Sequence, residues 1–171
     1  MKSTADLALL DRHLAYLCLS FVRQNCQSLA TEAARKELSH LDYLAELAEG
    51  EASLRQDRAV ARRIKAARFP LIKTLDSFRW DWPKKINRLQ IQDLFRLQFI
   101  EDKANVVFLG LVGVGKSHLA TALGYAACLR GKSVLFANAI DVINTLSAAQ
   151  NKGALKAELR KYLSPSILLL D

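Results

Sequence analysis

Eight consecutive residues, Gly110 to Ser117 (GLVGVGKS), have the types and the spacing needed to bind phosphate. Gly110 and Gly115 frame four residues, and a lysine and a serine follow directly. Glycines permit a tight turn in which successive backbone N–H groups point inward, and such a nest binds an anion. The lysine neutralises phosphate charge, and a serine hydroxyl is a magnesium ligand in loops of this kind. The pattern therefore predicts a loop that binds a purine nucleoside triphosphate, ATP with Mg²⁺.

The helix predicted to begin near Lys116 directs the positive end of its dipole at the phosphates. Lys116 is expected to reach the β- and γ-phosphates, and Ser117 is expected to bind Mg²⁺. His118 is interpreted as packing or hydrogen-bonding locally on the first turn of this helix rather than as a catalyst. The predicted nucleotide-binding residues are Gly110, Gly113, Val114, Gly115, Lys116, Ser117 and His118.

A second candidate for nucleotide binding lies at 166–171, where SILLLD is an apolar run that ends in aspartate. Such a run resembles the strand that carries the magnesium-organising aspartate of P-loop ATPases. Taken alone the pattern is weak, because any buried strand can end in Asp. Its position downstream of a phosphate loop strengthens the interpretation. Ser117 and Asp171 are therefore the predicted metal ligands.

The elements that must position these residues alternate between strand and helix. The strands are expected at NVVFLG, SVLFANA and SILLLD, and the helices at SHLATALGYAACLRG, DVINTLSAAQ and GALKAELRKYL. Gly131 is expected to end the first helix and Asp141 to cap the second. This alternation predicts an α/β fold with a parallel sheet.

The residues before the loop follow a helical period instead. Residues 5–69 contain no proline and one glycine, Gly50, which predicts three or four helices, with Ser39 as an N-cap and Gly50 as a C-cap. Asn87 is expected to cap a helix over 87–102. The predicted organisation is a helical N-terminal domain at 1–69, a linker at 70–86, and the first part of an ATP-binding domain at 87–171.

Positive charge is concentrated in residues 55–88, which contain 11 Lys or Arg and three Asp or Glu. The net charge of this segment, +8, equals the net charge of the whole chain. A basic balance favours polyanionic partners such as nucleic acid. The basic helix suggests contact of Arg55, Arg58, Arg62 and Arg63 with DNA phosphates or with an acidic partner; the alternative is a solvated helix face. No base-reading motif is visible, so any DNA binding is expected to be sequence-independent and salt-sensitive.

The stretch FLGLVGVGKSHLATALGYAACLRGKSVLFANAIDVINTL resembles the P-loop region of IstB-like ATPases. These are transposition helper proteins of insertion sequences, AAA+ proteins related to the bacterial helicase loader DnaC. ELSHLDYLAELAEGE, FPLIKTLDSFRWDW and INRLQIQDL resemble the family as well, and the likeness covers nearly all of residues 14–171. The family commonly opens the loop with Gly-Pro-Pro or Gly-Asn-Pro, whereas Gly110-Leu111-Val112 stands here, at variable positions of the motif.

The resemblance implies a protein that uses ATP to assemble on double-stranded DNA, without sequence preference, and to assist the transposase of its own insertion sequence. It also implies an ATP-dependent homo-oligomer. The linker that carries Phe78, Trp80 and Trp82 lies near the nucleotide base in AAA+ proteins, so an aromatic ring could stack on adenine there; packing of the linker on the core is the favoured interpretation. A DnaC-like helicase loader is the alternative function.

In AAA+ ATPases a glutamate that polarises the attacking water usually follows the aspartate, and this sequence ends at Asp171. We therefore expect ATP binding, a parallel sheet that is incomplete at the C-terminus, and no complete set of catalytic residues. On this interpretation the chain is a fragment, or a remnant that only binds nucleotide or a protein partner.

The N-terminal residues include no long apolar run, so neither a signal peptide nor a membrane span is expected. Cys18, Cys26 and Cys128 fit no metal motif and are interpreted as reduced, mostly buried thiols. These features favour a cytoplasmic protein.

Overall fold

The computed structural model describes residues 4–81 and 86–171. Residues 83–85 of the predicted linker and the predicted aromatic contact of Trp82 lie outside the described residues. The chain divides into two compact units, Met1–Ala59 and Val60–Asp171. The division into 1–69, 70–86 and 87–171 stays a prediction.

The described residues of the first unit are helical, as the period of their apolar residues predicted. α1 spans Thr4–Tyr16, α2 spans Ser20–Arg35, and α3 spans His40–Ala67 and ends beyond this unit. The predicted N-cap of α3 is confirmed, because Ser39 Oγ accepts a hydrogen bond from the Asp42 amide at 3.1 Å. Asp42 Oδ2 in turn accepts one from the Ser39 amide at 3.3 Å, so that two unpaired donors are satisfied reciprocally.

Gly50 does not end a helix, so its prediction as a C-cap is wrong. α3 continues through Gly50, because this residue packs against α2, a contact that the sequence does not reveal. A Cβ atom at this position would overlap with the ring of Phe21 on α2. The missing side chain therefore lets two helices approach closely, which compensates for the weak helix propensity of glycine.

Glu51 caps α2 from a neighbouring helix. Its Oε2 accepts hydrogen bonds from the Phe21 amide at 2.7 Å and the Val22 amide at 3.3 Å, while Arg55 Nε donates to Oε1 at 3.1 Å. Burial alone would raise the pKa of Glu51, but these donors outweigh it and lower the pKa. Leu19, which precedes α2, makes no side-chain cap, so Glu51 replaces one.

The second unit has the predicted α/β alternation with a parallel sheet. The two strands found among its described residues pair in parallel, with Val134 opposite Ile167 and Ala137 opposite Leu170. Beyond the end of α3 its elements are α4 Arg88–Leu94, α5 Gln98–Glu101, α6 Lys116–Leu129, β1 Val134–Ala137, α7 Ala139–Asn151, α8 Leu155–Leu163 and β2 Ile167–Leu170. Helix α6 is buried against the sheet, and a Cβ atom at Gly124 would lie 2.6 Å from Leu169 Cδ1.

The prediction of a strand at NVVFLG is wrong. Residues 104–110 are irregular, and neither β1 nor β2 pairs with them among the described residues. Phe108 packs on the core, whereas Val107 is 73% and Leu109 is 89% exposed. Apolar β-branched residues favour a strand, but a strand also needs a neighbouring backbone for its hydrogen bonds.

Two predicted helix boundaries are also wrong. The helix expected over 87–102 is broken between α4 and α5, where Leu97 adopts a left-handed conformation at φ 66°. Its buried side chain packs in the core, which outweighs the helical period. Asn138 rather than Asp141 caps α7, since its side chain accepts from the Ile140 amide at 2.9 Å. The predicted cap of α4 is confirmed, because Asn87 Oδ1 accepts from the Gln90 amide at 3.1 Å.

The three cysteines are free thiols, but they are less buried than predicted, because Cys18 is exposed and Cys26 is partly exposed. Cys128 lies in the core of the second unit, and burial raises the pKa of its thiol. Over residues 4–81 and 86–171, none of the helices is long and apolar enough to cross a membrane.

Candidate nucleotide-binding site

The predicted phosphate loop connects the irregular segment 104–110 to α6. Gly113 and Gly115 adopt left-handed conformations, at φ 82° and 91°, which an L-residue with a side chain rarely adopts. Gly115 is the N-cap of α6 and makes no side-chain cap. The backbone amides of the first turn are therefore oriented toward the loop, as a helix N-terminus that receives an anion requires.

Lys116 lies on the first turn of α6 and its side chain folds back over the loop. Its Nζ donates hydrogen bonds to the carbonyl oxygen of Gly110 at 3.1 Å and to that of Leu111 at 2.9 Å. The ammonium group is thus held within the loop, although Gly110 lies six residues earlier in the sequence. A phosphate in the loop would meet this charge together with the amides of the helix N-terminus.

Ser117 and Asp171 come together at the edge of the sheet. Ser117 Oγ donates a hydrogen bond to Asp171 Oδ1 at 2.8 Å. The backbone of Asp171 is fixed on two sides, because its amide donates to the Ala137 carbonyl at 3.2 Å and its carbonyl accepts from the Ala139 amide at 3.0 Å. The carboxylate therefore follows directly from the end of β2 and is directed at the first turn of α6.

This pair of oxygen groups suits a cation that shares its coordination with other ligands. Mg²⁺ prefers oxygen and is commonly bound by one or two carboxylates together with phosphate oxygens and water. Among the described residues there is no group of three or more His, Cys, Asp or Glu side chains that could form a protein-only metal site. The donors present fit a magnesium ion that arrives with a nucleotide.

His118 is directed away from the loop, toward the segment that precedes α4. Its Nε2 lies 3.0 Å from the carbonyl oxygen of Thr74 and 3.4 Å from Ser77 Oγ. The ring also meets Phe78 edge-on, with 5.3 Å between the centroids. His118 therefore forms a hydrogen bond, but the prediction that its contacts are local is wrong, because Thr74 lies 44 residues earlier in the sequence.

The aromatic residues expected near the base pack on each other and on the loop. Phe78 is 6% exposed, and a Cβ atom at Gly115 would lie 2.6 Å from its ring. Trp80 meets Phe78 edge-on at 5.0 Å, and the guanidinium of Arg88 lies 4.9 Å above the Trp80 ring. This is the packing arrangement that the sequence interpretation favoured for Phe78.

A cavity of about 580 Å³ opens beside the loop. It is bounded by Gly110, Val114 and Lys116 on the loop side and by α4 and the segment 105–109 on the other. Its polar lining includes Asn87, Gln90 and Asn105. Gln90 and Asn105 could not be assigned to the site from the sequence, because only the tertiary structure brings α4 to the phosphate loop.

The four arginines predicted to contact DNA or a partner differ in their surroundings. In the first unit, Arg55 binds Glu51 and donates to the Cys18 carbonyl at 3.2 Å, and Arg58 donates to Ser20 Oγ at 3.1 Å. In the second unit, Arg62 is exposed and Arg63 is partly buried close to Gly131. Arg55 and Arg58 thus have roles within the fold, and the predicted contact surface stays a prediction.

Comparison with known proteins gives a match to the family described as IstB-like ATP binding protein over residues 12–171. Three similar relatives are named as ATP-binding proteins of insertion sequences. They come from IS21 of Pseudomonas aeruginosa (35% identity over 158 residues), IS5376 of Geobacillus stearothermophilus (33% over 155) and IS232 of Bacillus thuringiensis (33% over 162).

The aligned regions cover 92%, 91% and 95% of this chain, respectively, and 60%, 62% and 65% of the relatives. The chain thus spans less than two thirds of the length of these relatives. The region that matches includes the phosphate loop, α6, both strands and Asp171.

Proposed function

The chain belongs to the family of IstB-like ATP binding proteins, and we propose that it binds Mg²⁺–ATP through Gly110–Ser117 and uses the bound nucleotide to assemble on DNA as a transposition helper. The residues proposed to contact the nucleotide are Gly110, Gly113, Val114, Gly115, Lys116, Ser117 and His118. His118 would contribute only its backbone amide in the first turn of α6, because its ring is directed at Thr74.

The observation that carries the proposal is the 2.8 Å hydrogen bond between Ser117 and Asp171. A hydroxyl from the phosphate loop and a carboxylate at the end of a parallel strand are the protein groups that P-loop ATPases use to hold the magnesium of their nucleotide. Ser117 and Asp171 would hold the ion here, and Lys116 would meet the β- and γ-phosphates. Bound Mg²⁺ would neutralise charge on these phosphates.

The cavity beside the loop supports a place for the base. Its walls combine polar groups with apolar side chains, Ile91, Leu94 and Val106 among them, and Gln90 adds an amide that both donates and accepts hydrogen bonds. Adenine carries an amino donor next to a ring-nitrogen acceptor, which a single amide can pair with. We propose that Gln90 takes part in holding the base.

Basic charge and the identity of the relatives support the proposed partners. Arg62 is exposed in the second unit, and the net charge of +8 favours association with DNA phosphates without reading bases. The relatives are named for insertion sequences, which favours a transposition helper over a helicase loader. The proposed partners are double-stranded DNA, the transposase of the same insertion sequence and further copies of the chain, in the cytoplasm.

Nucleotide-dependent DNA association tests the proposal. A fluorescent DNA duplex of arbitrary sequence is titrated with the protein at low salt, with Mg²⁺ and a slowly hydrolysed ATP analogue or without nucleotide. We expect tighter binding with nucleotide, a gain that Lys116→Ala removes. Lys132→Ala is the matched control, because it removes the same charge just beyond the opposite end of α6 and should keep the gain. Equal DNA affinity of the wild-type protein with and without nucleotide would reject the proposed assembly.

A further inference from the structure

A short turn packs against the first turn of α6, at the point where the phosphate loop ends. The turn comprises residues 74–78 and is fixed internally. Ser77 Oγ donates to the Thr74 carbonyl at 2.9 Å, and the Phe78 amide donates to the Leu75 carbonyl at 3.1 Å. The turn is therefore an ordered element with its own hydrogen bonds, and its contacts with α6 can position the loop.

The first contact is that of Phe78 with Gly115. The ring is buried and lies so close to Gly115 that a Cβ atom there would be 2.6 Å from Phe78 Cε2. Gly115 separates Val114 from Lys116, and its left-handed conformation directs the chain from the loop into the helix. The ring fills the space behind this residue, so that Phe78 restricts the conformations that the end of the loop can adopt.

The second contact is that of His118 with the carbonyl of Thr74, at 3.0 Å. For the ring to donate this hydrogen bond, Nε2 must carry the proton. The bond joins the first turn of α6 to the turn at 74–78, and Ser117, which lies between Lys116 and His118, is directed at Asp171. One turn of helix is thus fixed on two sides.

We infer that His118 and Phe78 are positioning residues for nucleotide binding, which hold the end of the phosphate loop in its binding geometry through the turn at 74–78. Trp80 belongs to the same cluster through its edge-on contact with Phe78, so its environment should respond to nucleotide. The inference rests on the proposed binding of Mg²⁺–ATP. A positioning role differs from a role in core packing alone, because substitution of a residue that only packs would alter stability without altering nucleotide affinity.

Substitutions of His118 separate these two roles. Gln keeps an N–H donor near the position of Nε2, whereas Leu removes it. We expect His118→Leu to weaken the affinity for Mg²⁺–ATP about fivefold and His118→Gln to stay within about twofold of the wild type, as the loss of one intramolecular hydrogen bond implies.

Arg130→Leu is the matched control. Arg130 Nη1 donates to the Arg96 carbonyl at 2.9 Å, which ties the opposite end of α6 to its surroundings by a similar bond. The control should lose stability in a denaturant titration yet keep the wild-type affinity for Mg²⁺–ATP. Equal affinities of His118→Leu and the wild type would overturn the inference, and so would an equal loss of affinity in His118→Leu and Arg130→Leu.

Tryptophan fluorescence gives a second readout. The chain has two tryptophans, so Trp82→Phe leaves Trp80 as the only one. We expect Mg²⁺–ATP to change the emission of Trp80 in this variant, and we expect the change to be lost when Phe78→Leu is added. Unchanged emission at saturating Mg²⁺–ATP would overturn the inferred role of Phe78.

The failure of the inference and that of the proposed function give different results. If the wild-type protein does not bind Mg²⁺–ATP, the proposed function fails and the inference fails with it. If the wild-type protein binds and His118→Leu binds equally well, only the inference fails.

Discussion

The hydroxyl of Ser117 donates a 2.8 Å hydrogen bond to the carboxylate of Asp171, although 54 positions separate the two residues in the sequence. The loop brings one of them to the N-terminus of α6, and the parallel pairing of β1 with β2 brings the other to the same edge of the sheet. Lys116 lies next to Ser117, with its ammonium over the loop. The groups that we propose as contacts of a magnesium nucleotide therefore lie at the phosphate loop and the end of β2.

Removal of either group at this contact should weaken the Mg²⁺-dependent part of ATP binding. We expect Ser117→Ala and Asp171→Asn each to weaken Mg²⁺–ATP affinity about tenfold or more, with little effect on ATP affinity in EDTA, because only the first process uses their oxygens. Titrations of ATP with and without Mg²⁺ measure both quantities. Ser133→Ala is the control, since Ser133 Oγ lies 3.1 Å from Ser166 Oγ at the opposite end of the same strand pair. Equal Mg²⁺ dependence in all four proteins would contradict the assignment.

The cap that Glu51 provides to α2 should make stability depend on pH. Glu51→Ala leaves the Phe21 and Val22 amides without their acceptor, and we expect it to lower the free energy of unfolding by about 2 kcal/mol at neutral pH. The pKa of Glu51 is lowered in the folded chain, so its contribution is present above the pKa of the unfolded chain and is lost as the pH falls through the folded value.

Denaturant titrations at neutral and acidic pH test this prediction. The difference between the wild-type protein and Glu51→Ala should shrink as the pH is lowered. Glu49→Ala, at an exposed position of the same helix, should have little effect at either pH. A difference that stays constant across the acidic range would argue against a charged cap.

Gly50→Ala should destabilise the helical unit, although alanine favours a helix by about 1 kcal/mol relative to glycine. The added methyl group would overlap with the Phe21 ring, and overpacking of this kind costs about 1–3 kcal/mol. The steric term is the larger one, so we expect a lower melting temperature. A protein stabilised by about 1 kcal/mol, as at an open helix position, would show that α2 and α3 are not in close contact.

The arginines should affect DNA binding according to their surroundings. We expect Arg62→Gln to weaken DNA binding and to reduce the slope of log affinity against log salt by about 0.9, the value for one phosphate contact. Arg55→Gln should act mainly on stability, because Arg55 binds Glu51. Affinities measured over a range of salt concentrations provide the slope, and Arg35→Gln, on α2, is a control with the same change in charge. The same slope for Arg62→Gln and Arg35→Gln would remove Arg62 from the contact surface.

Local chemistry made much of this structure predictable. Ser39 and Asn87 cap helices because their side chains reach backbone amides within a few residues. The apolar runs that became β1 and β2 are short, rich in Val, Leu and Ile, and bounded by polar residues, which predicts buried parallel strands. The loop motif similarly combines chemistry and spacing within eight residues.

The features that could not be predicted from the sequence depend on tertiary contacts. Glycine is the residue type typical of a helix C-terminus, but Gly50 lies within α3, where a side chain would overlap with the ring of Phe21. The run at 106–110 has the apolar and β-branched residues of a strand, but it pairs with neither strand among the described residues. His118 contacts Thr74, and Gln90 lies beside the phosphate loop. Both relationships join residues that are far apart in the sequence, and no local sequence pattern predicts them.

Nucleotide binding by the phosphate loop is tested most directly by a calorimetric titration of the wild-type protein and of Lys116→Ala with Mg²⁺–ATP, with Lys132→Ala as the control. We expect saturable one-site binding by the wild-type protein and the control, and affinity lowered at least tenfold in Lys116→Ala. Equal binding by the wild-type protein and Lys116→Ala, or no binding by the wild-type protein, would contradict the assignment of Gly110–Ser117 as the nucleotide site.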